Sequence, residues 1–108
     1  MITITISRNP AGRIYAFSVF NHSKNDVCAA VSLLTLNTVN GIEALTDEPF
    51  TYDYNPEGGF LKVELPLIKE GHGSPEVGLL LDVMALGLHS VKESYRNEIE
   101  IKDDVSHD

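Results

Sequence analysis

Apolar and small polar residues alternate from the start of the chain. Ile2, Ile4 and Ile6 stand against Thr3, Thr5 and Ser7, the two-residue period of a strand with one buried face. Asn9-Pro10-Ala11-Gly12 is turn chemistry, with proline fixing one dihedral and glycine free to turn left-handed. A second strand over residues 13–20 carries Ile14, Tyr15, Phe17, Val19 and Phe20, and the two strands predict an antiparallel hairpin. The period then changes. After the polar stretch Asn21-His22-Ser23-Lys24, with Asn25 or Asp26 as N-cap, a long helix is expected. At about 100° per residue, Val27, Val31, Leu34, Ile42 and Leu45 fall in one stripe, the face that packs on a sheet. Cys28, Ser32, Thr35 and Val39 lie just off that stripe.

Phe50-Thr51-Tyr52-Asp53-Tyr54 reads as a third strand with its aromatic residues on one face. The turn Asn55-Pro56-Glu57-Gly58-Gly59 leads to a fourth strand, in which Leu61, Val63 and Leu65 alternate with Lys62 and Glu64. Beyond the Gly-containing loop at residues 70–73, Ser74-Pro75 supplies an N-cap and a proline at the first helical position. The second helix, residues 75–95, carries two apolar stripes. One is Val77, Leu80, Leu81, Met84, Leu88, Val91 and Tyr95; the other is Leu79, Val83 and Leu86. A surface helix needs one such face. The second stripe predicts a cover, most simply another copy of the chain, and hence a homodimer through this helix. Residues 98–102 alternate around Ile99 and Ile101 as a short last strand, and residues 103–108 read as a polar tail. The order ββαββα(β) predicts a single α+β domain over residues 1–102, with helices packed on a mainly antiparallel sheet.

Composition narrows the function classes. A chain of 108 residues, 43% hydrophobic, holds one core of useful size. Its formal net charge of −8 argues against binding the phosphate backbone of nucleic acid and suits a basic protein or peptide partner. The opening residues contain no apolar run after a basic start, so neither a signal peptide nor a membrane span is expected there, and a cytoplasmic protein is the plain reading. The single cysteine, Cys28, cannot form an internal disulfide or build a thiolate metal site alone. His22, His72, His89 and His107 lack metal-ligand spacing. No metal and no cofactor is expected.

The candidate chemistry lies where the first helix begins. Cys28 falls near its third position, where free backbone N–H groups and the helix dipole favour thiolate. His22, on the preceding loop, could act as base toward Cys28 and as acid toward a leaving amine. Ser32, one turn further on, could donate a hydrogen bond to the sulfur or to a substrate carbonyl, and Asp26 could orient His22. The plainer readings are a buried structural cysteine and a surface serine. Tyr52 and Tyr54 read as strand packing rather than a substrate platform. His72 reads as a solvated loop residue, His89 as exposed or at a subunit contact, and Gly71-His72-Gly73 as too short to cradle phosphate.

The pattern His22 … Asp26-Val27-Cys28-Ala29-Ala30-Val31-Ser32, continuing to Thr38-Val39-Asn40-Gly41-Ile42, resembles the ribosomal-processing cysteine proteases of the Prp (YsxB-like) family. The opening strand and the segment from Val91 through Glu93-Ser94-Tyr95 to Asn97-Glu98-Ile99 resemble the family's two ends. The resemblance implies a small cytoplasmic homodimeric thiol protease. It would remove an N-terminal extension from large-subunit ribosomal protein number twenty-seven, with Cys28 as nucleophile, His22 as base, and Ser32 in support. A basic ribosomal substrate matches the acidic chain. The sequence departs from the family in having Asn21-His22-Ser23 where a Gly-His-Ala type tripeptide is usual, in a shorter segment between His22 and Cys28, and in Asn25 where the family places its acidic residue. A member that has lost catalysis and serves ribosome assembly by binding is the alternative that these departures keep open.

Overall fold

Two hairpins and two long helices make two layers in a computed structural model that describes residues 1–20, 26–55 and 59–105, with Asp26 described by its backbone alone. The strands are β1 (Ile2–Arg8), β2 (Ile14–Phe20), β3 (Thr51–Asn55), β4 (Phe60–Glu64) and β5 (Ile99–Val105). The helices are α1 (Asp26–Leu45), α2 (Pro66–Lys69) and α3 (Pro75–Ser94). The sheet order is β3-β4-β2-β1-β5. The β1–β2, β2–β4 and β3–β4 pairs are antiparallel, and β5 lies parallel to β1. This is the α+β architecture expected from the hydrophobic pattern.

The alternation of each strand sets the two faces of the sheet. On the helix side, one row across the strands reads Tyr54, Leu61, Val19, Ile4 and Ile101. The next reads Tyr52, Val63, Phe17, Ile6 and Asp103. Burial is complete at the centre of these rows, where Ile4, Ile6, Phe17, Val19, Leu61 and Val63 are shielded. Val31 and Ile42 of α1 and Leu81, Met84 and Leu88 of α3 complete the core. The other face carries Thr3, Thr5, Ser7, Ser18 and Lys62, the polar half of the same alternation.

The helices run antiparallel and close together. A Cβ built on Gly87 would stand 3.0 Å from Leu34 Cδ2, and one on Gly41 would stand 3.9 Å from Leu80 Cδ1. Residues late in α1 thus meet residues early in α3, and Gly87 is where α3 admits the Leu34 side chain. Among the described residues, α1 alone is long and apolar enough to cross a membrane, with a mean hydropathy of 1.3 over Val27–Leu45. Its buried stripe is instead part of the core.

Side chains join the turns to this frame. The buried Asn9 accepts from Ala11 N and Arg13 N through Oδ1, both at 3.0 Å, and donates from Nδ2 to Ile68 O at 2.8 Å, which ties the first hairpin to α2. Arg13 donates to His72 O at 3.1 Å and Ser74 O at 2.7 Å, so the Gly71–Gly73 loop is held by a guanidinium where α3 begins. Ser74 caps α3, its Oγ accepting from Val77 N at 3.3 Å.

Two sequence expectations are corrected and one element is added. The last strand runs to Val105, so Asp103 and Asp104 belong to the sheet and not to a polar tail. The cause is local: Asp103 faces Arg8, which donates to it from Nε at 2.7 Å and from Nη2 at 3.1 Å, so a carboxylate is held where the alternation shows no apolar residue. Leu45 is exposed, because Ile42 is the last residue of α1 to reach the core. A one-turn helix, α2, fills the connection before the Gly-containing loop, started by Pro66 and anchored by the buried Ile68.

Candidate active site at the start of α1

Cys28 is the third residue of α1, and Val27, Cys28 and Val31 turn inward together in its first turns. Cys28 is 4% exposed, which is more deeply set than its angular position at the border of the apolar stripe suggested. Ser32 follows one turn later, half-buried. The loop at residues 21–25, with His22, lies outside the described residues, as does the side chain of Asp26. The Cys28–His22 pairing therefore remains an expectation of the sequence.

The direction in which Cys28 points follows from the packing of α1. Leu34 and Gly41 face α3. At about 100° per residue, Cys28, Ser32 and Val39 lie well round the helix from that contact, on the flank away from α3. The strands β2 and β3 are parallel, each being antiparallel to β4, so α1 is the crossover between them and lies over the β4 side of the sheet. The C-terminal end of β2, from which the chain enters α1, is level with the end of β3 at Tyr54 and Asn55, because Val19 and Tyr54 both pair with Leu61. Cys28 and Tyr54 therefore share one end and one face of the sheet.

Sequence reasoning assigned Tyr52 and Tyr54 to packing, and here the structure differs. They lie on the helix-side face but are 56% and 45% exposed, on the edge strand of the sheet. Phe50 alone leans on Tyr52, with ring centroids 6.5 Å apart. His89 is half-exposed on α3, its Nε2 3.6 Å from Asp103 Oδ2, and belongs to the opposite edge of the sheet. His72 is exposed in its loop. A cleft of about 500 Å³ opens at the far end of α1, between Thr46, Asp47, Glu48, Leu67, Ser74 and Glu76. The carboxylate of Glu48 already accepts from Ser74 N there at 2.9 Å, so the start of α3 is occupied by the chain's own anion.

A cysteine in the first turn of a helix, with a serine one turn on, suits thiol chemistry on a peptide. Comparison with known proteins agrees. The family model described as cysteine protease Prp matches residues 1–100. The chain belongs to the Prp cysteine protease family. A curated relative, the ribosomal processing cysteine protease Prp of Bacillus subtilis (strain 168), is 22% identical over 111 residues, covering 97% of this chain and 99% of that protein. Among solved structures, Prp from Staphylococcus aureus in complex with a covalently linked product peptide superposes with a TM-score of 0.84 at 27% identity, covering 96% of this chain and all of the other. SMU.848 from Streptococcus mutans gives a TM-score of 0.85 at 29% identity, covering 98% of this chain and 96% of its own. The Prp fold thus spans essentially the whole chain, and Cys28 at the head of α1 is its only thiol.

Proposed function

We propose that the chain is a cytoplasmic cysteine endopeptidase that trims the N-terminal extension of large-subunit ribosomal protein number twenty-seven during ribosome assembly, with Cys28 as nucleophile and His22 as general base. The observation that carries this reading is the placement of the sole cysteine in the first turn of α1 of a Prp-family fold. His22 takes the thiol proton and the sulfur attacks the scissile carbonyl carbon, forming a C–S bond while the carbonyl π pair moves to oxygen. Backbone N–H groups of the first turn of α1 face the resulting oxyanion, and Ser32 lies on the same flank to donate to it. The tetrahedral centre collapses, the C–N bond breaks, and the imidazolium of His22 protonates the departing amine. Water, deprotonated by His22, then adds to the thioester, and the thiolate of Cys28 leaves. No metal or cofactor enters these steps.

The precursor's basic N-terminal peptide, incubated with the protein, is expected to be cut once, and Cys28→Ala is expected to abolish cutting while leaving the fold intact. Failure of the wild type to cut, or cutting that survives Cys28→Ala, sinks the assignment. A second reading, a family member that has lost catalysis and acts in assembly by binding, is favoured by one observation: Cys28 is 4% exposed. Alkylation by iodoacetamide separates the two. Prompt labelling of Cys28, slowed by the precursor peptide, supports the protease. A thiol that stays inert in the folded protein supports the binding module.

The homodimer is the third part of the proposal. Leu79, Val83 and Leu86 form a stripe along the outer face of α3 and are 66%, 59% and 70% exposed in the single chain. Contiguous apolar area of this kind suits a protein contact, and a second copy meeting it about a two-fold axis would bury both stripes at once.

A further inference from the structure

We infer that the cleft at the C-terminal end of α1 is a second docking site for the basic substrate: a lysine or arginine side chain of the precursor protein, outside the segment that is cut, lays its aliphatic stem on Leu45 and Leu67 and its charged head among Asp47, Glu48 and Glu76. The inference rests on the protease reading above and adds a contact remote from Cys28. Three features lead to it. The first is negative charge that the chain does not answer. Asp47, Glu48 and Glu76 line a cleft of about 500 Å³. None of them has an ion-pair partner among the described residues, whereas Glu64, Asp82, Glu93, Glu100 and Asp103 each meet a cation of the chain. The last turn of α1, which ends at the cleft, adds Glu43 and the negative end of the helix dipole and carries no basic residue. Two cations on neighbouring elements are engaged elsewhere. Arg13 donates to the carbonyls of His72 and Ser74, and the Lys69 ammonium lies over the Tyr15 ring, 5.7 Å from its centroid.

The second feature is a buried oxygen. Glu48 Oε1 accepts from Ser74 N at 2.9 Å, but Oε2 is buried and meets no donor among the described residues. A buried acceptor without a donor is uncommon in folded proteins, and a cation brought to the cleft offsets the charge that no N–H meets. Among the described residues these carboxylates do not form a group that could hold a metal ion, so an organic cation is the better match. The third feature is apolar surface beside the charge. Leu45, past the last core residue of α1, is 75% exposed, and Leu67 of α2 is 38% exposed. Both line the same cleft. Lysine and arginine lay their stems on apolar surface while the charged head reaches polar groups, so leucine walls edged by carboxylates fit these side chains better than a compact cation. Leu45 and Cys28 stand at opposite ends of α1, roughly 26 Å apart at the rise of an α-helix. A peptide of about eight residues centred on the scissile bond reaches roughly 13 Å to either side and stays clear of the cleft, whereas the precursor protein can occupy both places.

Steady-state cleavage of two substrates, that short peptide and the full-length precursor, tests the inference. Asp47→Asn combined with Glu76→Gln is expected to raise KM for the precursor about fivefold with kcat unchanged, because the lost contact is made equally in the ground and transition states. Leu45→Ser is expected to raise it by a similar factor, and neither variant should alter KM for the short peptide. A second measurement uses only the wild-type protein. The mature ribosomal protein, which lacks the extension, is expected to inhibit cleavage of the precursor competitively and to leave cleavage of the short peptide untouched. Unchanged KM for the precursor in folded variants, or a mature protein that inhibits neither substrate or both alike, overturns the inference and leaves the protease standing. A charge variant that acts where Leu45→Ser does not shows general electrostatic steering in place of docking, and overturns it too. A wild type that cuts neither substrate overturns both readings.

Discussion

Gly73 shows how closely the polar end of the molecule is built. Its φ of 105° lies in the region that side chains avoid, and a Cβ there would stand 2.6 Å from Ile68 Cγ1. Both the backbone and the space demand glycine. Gly73→Ala is expected to cost about 2–6 kcal/mol, the sum of left-handed strain and overpacking, read as a lower urea midpoint at unchanged slope. The adjoining Arg13 is the second fixed point, since it donates to the carbonyls of His72 and Ser74. The sequence marked residues 70–73 as a loop but could not show this role, because the partner guanidinium belongs to the first hairpin. Cys28 was more legible. Its place in the first turn followed from the helix pattern alone, whereas its depth depends on what covers α1, which no local period encodes.

Among the elements, the edges of the sheet were least legible. Alternation gives the face on which a side chain lies, but the neighbours of a strand are set by chain connections far away. Tyr52 and Tyr54 were therefore assigned correctly to one face and wrongly to packing. β5 was cut short for a related reason. Its Lys102-Asp103-Asp104 carries no apolar signal, and Asp103 is admitted to the helix-side row because Arg8 meets it from β1. The hydrogen bond from Arg8, then its positive charge and the nearby His89, outweigh partial burial and hold the Asp103 carboxyl below its ordinary value of 3.8. A carboxyl whose pKa is lowered on folding adds stability above its unfolded pKa and loses it as pH falls through the folded value. The wild type is thus expected to lose stability as pH drops from the ordinary aspartate range to below it. Asp103→Asn should lack that part of the acid dependence, a difference seen by comparing thermal midpoints across pH.

For the whole molecule, the two-striped α3 is the feature that composition and period foretold most fully. The stripe from Val77 to Val91 is in or against the core, Tyr95 past the helix end is exposed against expectation, and the other stripe is open. Placing a charge at its centre is expected to break a dimer without disturbing the fold, since the site is exposed in the single chain. Val83→Glu should run as a monomer by light scattering at concentrations where wild type is dimeric, with an unchanged circular dichroism spectrum; a wild type that is monomeric at all concentrations removes the dimer proposal. The layered α+β frame was legible because both periods are clean over whole elements. The parallel closure of β5 on β1 was not, since nothing in either strand names its partner. That closure also sets a timetable for the chain's own birth. β1 leaves a translating ribosome before β2 to β5, yet one of its two neighbours, from Ile2↔Ile99 to Arg8↔Val105, is made 97 residues later. Loop-closure entropy must be met before that pairing rewards it. During synthesis the first hairpin waits with one flank bare, and the sheet is completed only after β5 has left the ribosome. A protein proposed to mature ribosomes would then complete its own sheet only once its last strand has cleared one.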